Sequence, residues 1–327
     1  MRELISNFPN QLREAMSIGT STPLREADKT FDNVLITGLG GSGIAGTIIA
    51  ELTAQHVKIP VTVNNDYFIP AFVGPRTLVI ASSYSGNTEE TLEAFEHARK
   101  QGAHIVCITS GGKIAQLADE YGFDKIVIPG GMPPRSCFGY SLTQQFIIFS
   151  HFGLINQAMV DALKGVPDFL DANLTEIMKK AEELTNLLYG RMPVIYAGAG
   201  TGGVAIRFRQ QVNENAKMLC WHHVLPEMNH NELVGWAGGD DEKAVVVFRN
   251  ETDYKSTQKR MDVSKEVILK YTPHYTEVWS KGQDPVTRAL YLVHLGDWVS
   301  LLLGEKKGVD VVEVNVIDHL KSALAAI

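Results

Sequence analysis

The chain has little that would tie it to nucleic acid, to a membrane or to an oxidising compartment. Its 30 lysines and arginines are outnumbered by 37 acidic residues, so a charge of −7 offers no surface for DNA or RNA. No apolar run approaches the roughly 18 residues that span a bilayer. The charged N-terminus lacks the apolar core of a signal peptide. Three scattered cysteines make no disulfide framework. We expect a cytoplasmic protein that has neither nucleic acid nor membrane as a partner.

Short apolar runs alternate with longer helical patterns, which is typical of parallel sheets covered by helices. The predicted strands are 34–37, 61–64, 78–81, 105–108, 125–128, 194–197, 244–249 and 275–279. The predicted helices are 44–55, 88–101, 114–121, 139–159, 286–303 and 317–325, together with an amphipathic helix at the N-terminus. The fold class is therefore α/β.

An internal repeat divides the chain into two similar halves. The segments NVLITGLGGSG (33–43) and PVIYAGAGTGG (193–203) begin 160 residues apart, and each has four apolar residues followed by glycines at three matching places. The repeat predicts two doubly wound parallel-sheet domains related by duplication, with extra helices at both termini. We place the domains at 1–165 and 166–327, with the boundary in the segment KGVPDF.

Both glycine-rich turns fit the pattern G-x-G-x-x-G, which has two interpretations. The pattern occurs in dinucleotide sites, where Asp66 would be a loose candidate for the acidic residue at the second strand. It also occurs in any tight turn between a strand and a helix. No G-K-[ST] follows either turn, which disfavours a P-loop nucleotide site. The glycines concerned are Gly38, Gly40 and Gly43, and Gly198, Gly200 and Gly203.

Hydroxyl side chains crowd the turn after the third predicted strand. Helix capping by Asn87 or Thr88 explains one of them, but it does not explain Ser83 and Ser85, or Ser42 in the first glycine-rich turn. Free amides at a helix N-terminus and several hydroxyls can together hold an anion, each charge-assisted bond contributing about 1.5–3 kcal/mol. No lysine is nearby, so the turn suits a single phosphate monoester better than a polyphosphate.

These motifs carry a family resemblance. GLGGSG (38–43) with SYSGNTEETL (83–92) resembles the sugar isomerase (SIS) domain. PPRSCFGY (133–140), NENAK and HNE (between 213 and 232), and DHLK (318–321) are similar to the bifunctional phosphoglucose/phosphomannose isomerase family. The resemblance covers nearly the whole chain. It implies two SIS domains, a homodimer, and isomerisation of hexose 6-phosphates without a metal or another cofactor.

The resemblance also implies four catalytic residues. Glu214 matches the family's base, and His230 matches the histidine that opens the sugar ring, which acts across a dimer interface in this group. Arg135 matches an arginine beside the base, where its charge would stabilise the enediolate. Lys321 matches a lysine near the ring oxygen. The residues implied for the phosphate are Gly41, Ser42, Ser83, Ser85, Gly86 and Thr88.

Each assignment has a structural alternative. Glu214 fits a solvated helix charge, Arg135 a structural ion pair in a proline-rigid loop, and Lys321 a charge that complements the end of the last helix. His230 stands in a group that could be taken for a zinc site, but the spacings match no zinc motif. That group also contains His222, His223, Glu227, Glu232 and Cys220.

The leading hypothesis is an aldose–ketose isomerase that interconverts fructose 6-phosphate with glucose 6-phosphate and mannose 6-phosphate through a cis-enediol. The alternatives are a phosphosugar-binding regulator without turnover, an isomerase of a different sugar phosphate, and a dinucleotide-dependent oxidoreductase. The stretches SCFGY (136–140) and CWHHVLPEM (220–228) match the family less closely. They are candidates for lining the sugar pocket.

Overall fold

The structure is a computed structural model that describes residues 1–239 and 241–324. Its first sheet is wholly parallel, with the strand order β2-β1-β3-β4-β5. The strands are β1 (Asn33–Thr37), β2 (Val61–Asn64), β3 (Thr77–Ser82), β4 (His104–Thr109) and β5 (Asp124–Val127). The chain reverses its direction of winding between β1 and β3, which makes this the switch point of the sheet.

The second sheet repeats this topology. Its strands are β6 (Met192–Gly198), β7 (Trp221–Leu225), β8 (Lys243–Arg249) and β9 (Tyr275–Trp279). They are parallel in the order β7-β6-β8-β9, so the switch point lies between β6 and β8. Two wholly parallel sheets, each covered by helices, confirm the predicted α/β fold class.

Eleven α-helices surround the two sheets in the described part of the chain. They are α1 (Arg2–Ser6), α2 (Phe8–Ser21), α3 (Gly40–Thr53), α4 (Glu89–Lys100), α5 (Gly112–Tyr121), α6 (Phe138–His151), α7 (Gln157–Leu188), α8 (Gly202–Ala216), α9 (Lys255–Ile268), α10 (Pro285–Lys307) and α11 (Asn315–Leu324). Short 3-10 segments lie at Pro134–Cys137, Ala199–Thr201, Glu227–His230 and Glu232–Gly238.

Alternate strand residues face different hydrophobic clusters, as the period of two requires. Val34 and Ile36 of β1 enter a large central core that also holds Ile195 and Val246 of the second sheet. Leu35 points to the opposite face, into a cluster beneath α4 and α5. The central core is therefore shared by both sheets, with α3, α6, α7, α8 and α10 packed inside it.

Helix α10 is long and apolar enough, by length and composition, to cross a membrane, so the expectation that no such segment exists is wrong on that criterion. However, 89% of its apolar window is buried inside the protein. It packs against α7 and α8, so its apolar surface is covered by the protein itself.

The predicted strands are confirmed to within two residues, whereas other parts of the prediction need correction. Strand β7 was not predicted. The predicted helix 139–159 is two helices, since α6 ends at His151 and α7 begins at Gln157. The predicted domain boundary at 165/166 falls inside α7, which carries Pro167 in its interior; the boundary stays a prediction. The last residue of the predicted helix 317–325 lies outside the described residues.

The second glycine-rich turn is shaped by close helix packing. A Cβ on Gly203 would lie 2.9 Å from Ile48 Cγ1 and 3.3 Å from Ile48 N of α3. A Cβ on Gly202 would lie 2.9 Å from both Glu51 Oε1 and Val224 Cγ1. These glycines let α3 and α8 approach each other, which supports the tight-turn interpretation of the second G-x-G-x-x-G over the dinucleotide one.

We expect Gly203→Ala to lower the free energy of unfolding by about 1–3 kcal/mol, because the new methyl group has no room against Ile48. Gly200→Ala is the matched control, since a Cβ there meets nothing within 4 Å, and it should change stability by less than about 0.5 kcal/mol. Urea unfolding measures both. Equal stability of the two variants would show that helix packing does not determine the glycine at 203.

Candidate active site

The two turns that were predicted to hold phosphate lie side by side at the first switch point. Gly41 and Ser42 follow β1, and the turn from Ser83 to Thr88 follows β3. Because β1 and β3 are adjacent parallel strands, their carboxyl ends meet at one edge of the sheet. This edge is where ligands bind in open α/β sheets.

The predicted hydroxyls contact one another or the same short stretch of backbone. Ser83 Oγ lies 2.9 Å from Thr88 Oγ1. Ser42 Oγ accepts a hydrogen bond from the Tyr84 amide at 3.3 Å, so the first turn contacts the second directly. Ser85 is exposed, and its Oγ accepts from the Asn87 amide at 3.2 Å. The structure therefore brings these side chains together.

The helices that begin at these turns keep their first amides free of side-chain caps. Thr88 is the N-cap residue of α4, as one of the two predicted candidates, but it makes no capping bond within the described residues. Its hydroxyl contacts Ser83, and the Asn87 side chain accepts instead from the Lys113 amide at 2.9 Å. Helix α3 likewise has no side-chain cap in the described chain. Two uncapped helix N-termini favour an anion between them.

Two predicted glycines are required by close approach of the backbone. Gly86 has φ +69°, and a Cβ there would lie 1.8 Å from the carbonyl oxygen of Gly111. A Cβ on Gly41 would lie 2.9 Å from the carbonyl oxygen of Pro134. Gly41 thereby lets the loop that carries Arg135 pack directly against the start of α3.

Arg135 is 4% exposed and its guanidinium group joins three parts of the chain. Nε donates to Asn215 Oδ1 at 2.7 Å, and Nη2 donates to the carbonyls of Val311 and Val312 at 2.7 and 3.0 Å. Burial lowers the pKa of Arg135, while Glu214 opposes that shift. An arginine remains charged even so, and these bonds offset the cost of burying it.

Glu214 lies beside this cation near the end of α8. Its Oε2 is 3.5 Å from Arg135 Nη1, and its side chain is 29% exposed. It is therefore partly open to a ligand and not a fully solvated helix charge. A carboxylate next to a fixed positive charge can accept a proton from a bound molecule while the cation stabilises the negative charge that forms.

Tyr84 lies at the candidate site and was not among the residues predicted from the sequence. It lies between the two predicted serines of the turn, and its hydroxyl accepts from the Met132 amide at 3.0 Å. Desolvation raises its pKa, with a hydrogen bond to Cys137 adding to the shift. Tyr84 links the turn from Ser83 to Thr88 to the loop of Arg135. Local sequence patterns do not predict this contact, because the two segments are distant in sequence.

Buried polar side chains along one face of α8 hold Arg135 in place. Arg207, Gln211 and Asn215 recur at four-residue spacing and so share one helix face. Arg207 Nη2 and Gln211 Nε2 donate to the Asp297 carboxylate at 2.8 and 2.9 Å, and Arg207 also donates to the carbonyl of Arg135. Asn215 Nδ2 donates to Ser300 Oγ at 2.9 Å. Asn215 is thus fixed on both sides, and the sequence reasoning missed it.

His230 and Lys321 are not joined to Arg135 and Glu214. His230 is exposed at the end of the 3-10 segment after β7 and, in the part of the chain that the structure describes, has no side-chain hydrogen bond. The Lys321 side chain is 71% exposed and lies 4.0 Å from Asp318 on α11. The structure places both on the surface of the chain.

The histidine cluster does not assemble into a metal site. Over residues 1–239 and 241–324, no group of three or more His, Cys, Asp or Glu side chains could hold a metal ion. Burial, with Arg209 and His223 adding to the effect, lowers the pKa of His222 to about 4. The Glu232 carboxylate accepts hydrogen bonds from the Tyr196 hydroxyl and from Trp221 Nε1, the latter at 2.9 Å.

Two doubly wound parallel sheets with a hydroxyl-lined turn at the first switch point define a protein of two SIS domains. The family model of the SIS domain matches residues 30–147. The model described as bacterial phospho-glucose isomerase C-terminal SIS domain matches residues 177–324. The C-terminal domain of glucosamine-fructose-6-phosphate aminotransferase from Francisella tularensis has a similar fold, with a TM-score of 0.78 at 15% identity over 96% of this chain and 98% of that one.

Full-length relatives define the family more narrowly. A bifunctional phosphoglucose/phosphomannose isomerase of Caldicellulosiruptor bescii is 38% identical over 337 residues, covering 100% of this chain and 99% of the relative. A D-glucosamine-6-phosphate 4-epimerase of Sulfolobus acidocaldarius is 34% identical over 63% of this chain and 64% of its own length. The chain belongs to the bifunctional phosphoglucose/phosphomannose isomerase family, which confirms the resemblance, and it is an isomerase.

We expect Asn215→Ala to lower the free energy of unfolding by about 1–3 kcal/mol, because it leaves the buried Nε–H of Arg135 without a partner. Gln210→Ala, on the same helix and only partly buried, should cost less than about 0.5 kcal/mol. Urea unfolding compares the two. Equal costs would show that Arg135 finds another acceptor.

Proposed function

We propose that the protein interconverts fructose 6-phosphate with glucose 6-phosphate and mannose 6-phosphate, without a metal, through a cis-enediol. One observation carries the proposal. The loop of Arg135 packs on Gly41 of the first glycine-rich turn, and Arg135 itself contacts Glu214. A sugar phosphate anchored at Ser42, Ser83 and Thr88 would therefore have its carbon chain directed toward a carboxylate and a cation.

The proposed chemistry follows from that pair. Glu214 takes the C1 proton of the open-chain ketose, the C1=C2 bond forms, and negative charge grows on the C2 oxygen next to Arg135. The C2 oxygen takes up the proton that leaves the C1 hydroxyl, and protonated Glu214 returns a proton to C2, which completes the aldose and restores the carboxylate. Glucose and mannose phosphates share this enediol, so the face that is protonated decides the epimer.

His230 and Lys321 enter this proposal through a homodimer. His230 is assigned to ring opening and Lys321 to the ring oxygen, yet neither contacts Glu214 within its own chain. Helix α11 also leaves apolar side chains exposed: Val316 by 83%, Leu320 by 58% and Leu324 by 41%. A second copy covering this face would bury the apolar surface and bring further groups to the site.

A different sugar phosphate is the second candidate substrate. The epimerase relative acts, by its name, on the 4-position of an amino sugar phosphate. The same phosphate turn could anchor such a molecule. The two candidates give different products, so identifying the product sugars by NMR separates them.

We expect fructose 6-phosphate in deuterated water, with a metal chelator and the protein, to yield glucose and mannose 6-phosphates that carry deuterium at C2, observed by NMR. Glu214→Gln should lower turnover by about 10²–10⁴ because it removes the base, while the sugar phosphate still binds. Glu96→Gln on α4, away from the site, is the matched control.

Several outcomes would contradict this assignment. Near-full turnover in Glu214→Gln would remove Glu214 as the base. Turnover that stops with the chelator and returns with a metal would exclude the metal-free mechanism. Bound fructose 6-phosphate with no product would favour the regulator without turnover. Conversion of glucosamine 6-phosphate into its C4 epimer would favour the epimerase.

We expect a mixture of Glu214→Gln and His230→Ala subunits to recover activity that neither variant has alone. If Glu214 of one subunit works with His230 of the other, each mixed dimer contains one intact site. Random exchange should then restore about a quarter of wild-type activity. No recovery in mixed dimers, verified by differential tagging, would place both residues in one subunit's site.

A further inference from the structure

A carboxylate crosses from α3 to the start of α8. Both oxygens of Glu51 accept from the Gly203 amide, at 3.0 and 2.9 Å. Gly203 is the second residue of α8, so the carboxyl group lies at the positive end of that helix. This contact, which we call the Glu51 clip, joins the helix that follows β1 to the helix that follows β6.

The clip occupies the second glycine-rich turn (198–203), which corresponds to the first glycine-rich turn (38–43) that holds Gly41 and Ser42. There the helix N-terminus meets the protein's own carboxylate, and Asp253 stands beside Gly198, where a Cβ would lie 3.4 Å from Asp253 Oδ1. Two acidic side chains therefore surround the second glycine-rich turn. The Gly203 amide is occupied by Glu51 and is not available to a phosphate, so the turn serves an internal contact.

Helices α3 and α8 run antiparallel, with the clip at one end and the proposed chemistry at the other. Glu51 near the end of α3 meets Gly203 at the start of α8. At the opposite end, Gly41 packs on the loop of Arg135, which contacts Glu214. The distance along α8 from Gly203 to Glu214 is eleven residues, or about 16 Å.

We propose that Glu51 is a positioning residue that fixes the register of α3 against α8, and with it the separation between the phosphate-binding residues and Glu214. This inference rests on the proposed function, since it takes Glu214 as the base and Ser42 as part of the phosphate site. Glu51 touches no reacting group in this assignment.

The clip gives the packing of α3 on α8 a directional contact. Beside it, Ile48 packs on Gly203 through an apolar contact that has no direction of its own. A hydrogen bond to one amide has a defined direction and length. Moving a bound substrate by about 1 Å relative to its base can cost about 10²-fold in rate, so a small slip would be measurable.

The test compares Glu51→Ala, Glu51→Gln and the control Glu96→Gln in the full-length protein with fructose 6-phosphate. We expect kcat of Glu51→Ala to fall by about 10- to 100-fold, with KM changed by less than about threefold. Glu51→Gln retains an acceptor for the Gly203 amide and should lie between Glu51→Ala and wild type. Acetate added to Glu51→Ala should restore part of kcat by filling the site of the lost carboxylate.

Hydrogen exchange gives a readout that does not depend on activity. Peptides containing Gly203 should exchange faster in Glu51→Ala than in wild type, whereas the exchange rate of peptides that cover the turn 83–88 should not change. Should Glu51→Ala fail to fold, Glu51→Gln alone carries the kinetic comparison.

The outcomes separate the two proposals. A folded Glu51→Ala with wild-type kcat, or a loss of kcat matched by Glu96→Gln, overturns the positioning role and leaves the proposed function standing. A rise in KM without a fall in kcat also overturns it, because register would then affect binding alone. A wild-type protein without turnover overturns the proposed function, and the positioning role with it.

Discussion

The buried guanidinium group of Arg135 is the interaction on which the candidate site depends. Its Nε, Nη1 and Nη2 donors contact Asn215, Glu214 and two carbonyls of the segment after α10. Because the guanidinium group is planar and its donors have a fixed geometry, these partners can occupy only one relative arrangement. A flexible ammonium group would not impose it. The loop of the first half, the end of α8 and the C-terminal segment are therefore located together by one side chain.

The two halves of the chain share a topology but differ in the side chains at their switch points. The first has hydroxyls and free helix amides, which suit an anion. The second has Glu51 and Asp253, and burial raises the pKa of both carboxyls, that of Glu51 to about 7. Under the proposed function, the duplicated fold thus supplies one turn for a ligand and one for contact between its halves, and the difference lies in a few side chains.

Most strands and part of the candidate site could be predicted from the sequence, and the elements that could not be predicted were missed for physical reasons. Strands buried on both faces are uniformly apolar and were found, whereas β7 is an edge strand with the sequence WHHVL and has no such run. Pro167 suggested a boundary, yet proline is accommodated inside α7. The hydroxyl-rich turn 83–88 was picked out by its local motif, and Glu214 was picked out through the family resemblance. Asn215, Tyr84 and Glu51 were not, because each acts through a partner distant in sequence.

The C-terminal segment whose carbonyls accept from Arg135 lies next to α11, the helix proposed to face a second subunit. The carbonyls of Val311 and Val312 accept from Arg135, and α11 begins at Asn315, only a few residues later. Lys217 fixes the same segment by donating to the carbonyls of Glu214 and Glu313 at 2.7 and 2.8 Å. In the proposed dimer, covering the exposed face of α11 would restrain these carbonyls and thereby the guanidinium group beside Glu214. Glu214 is also partly exposed in the single chain, and excluding water from a base and its cation strengthens their electrostatic effect. A second subunit would then do more than supply His230, because it would complete the environment in which Arg135 stabilises charge.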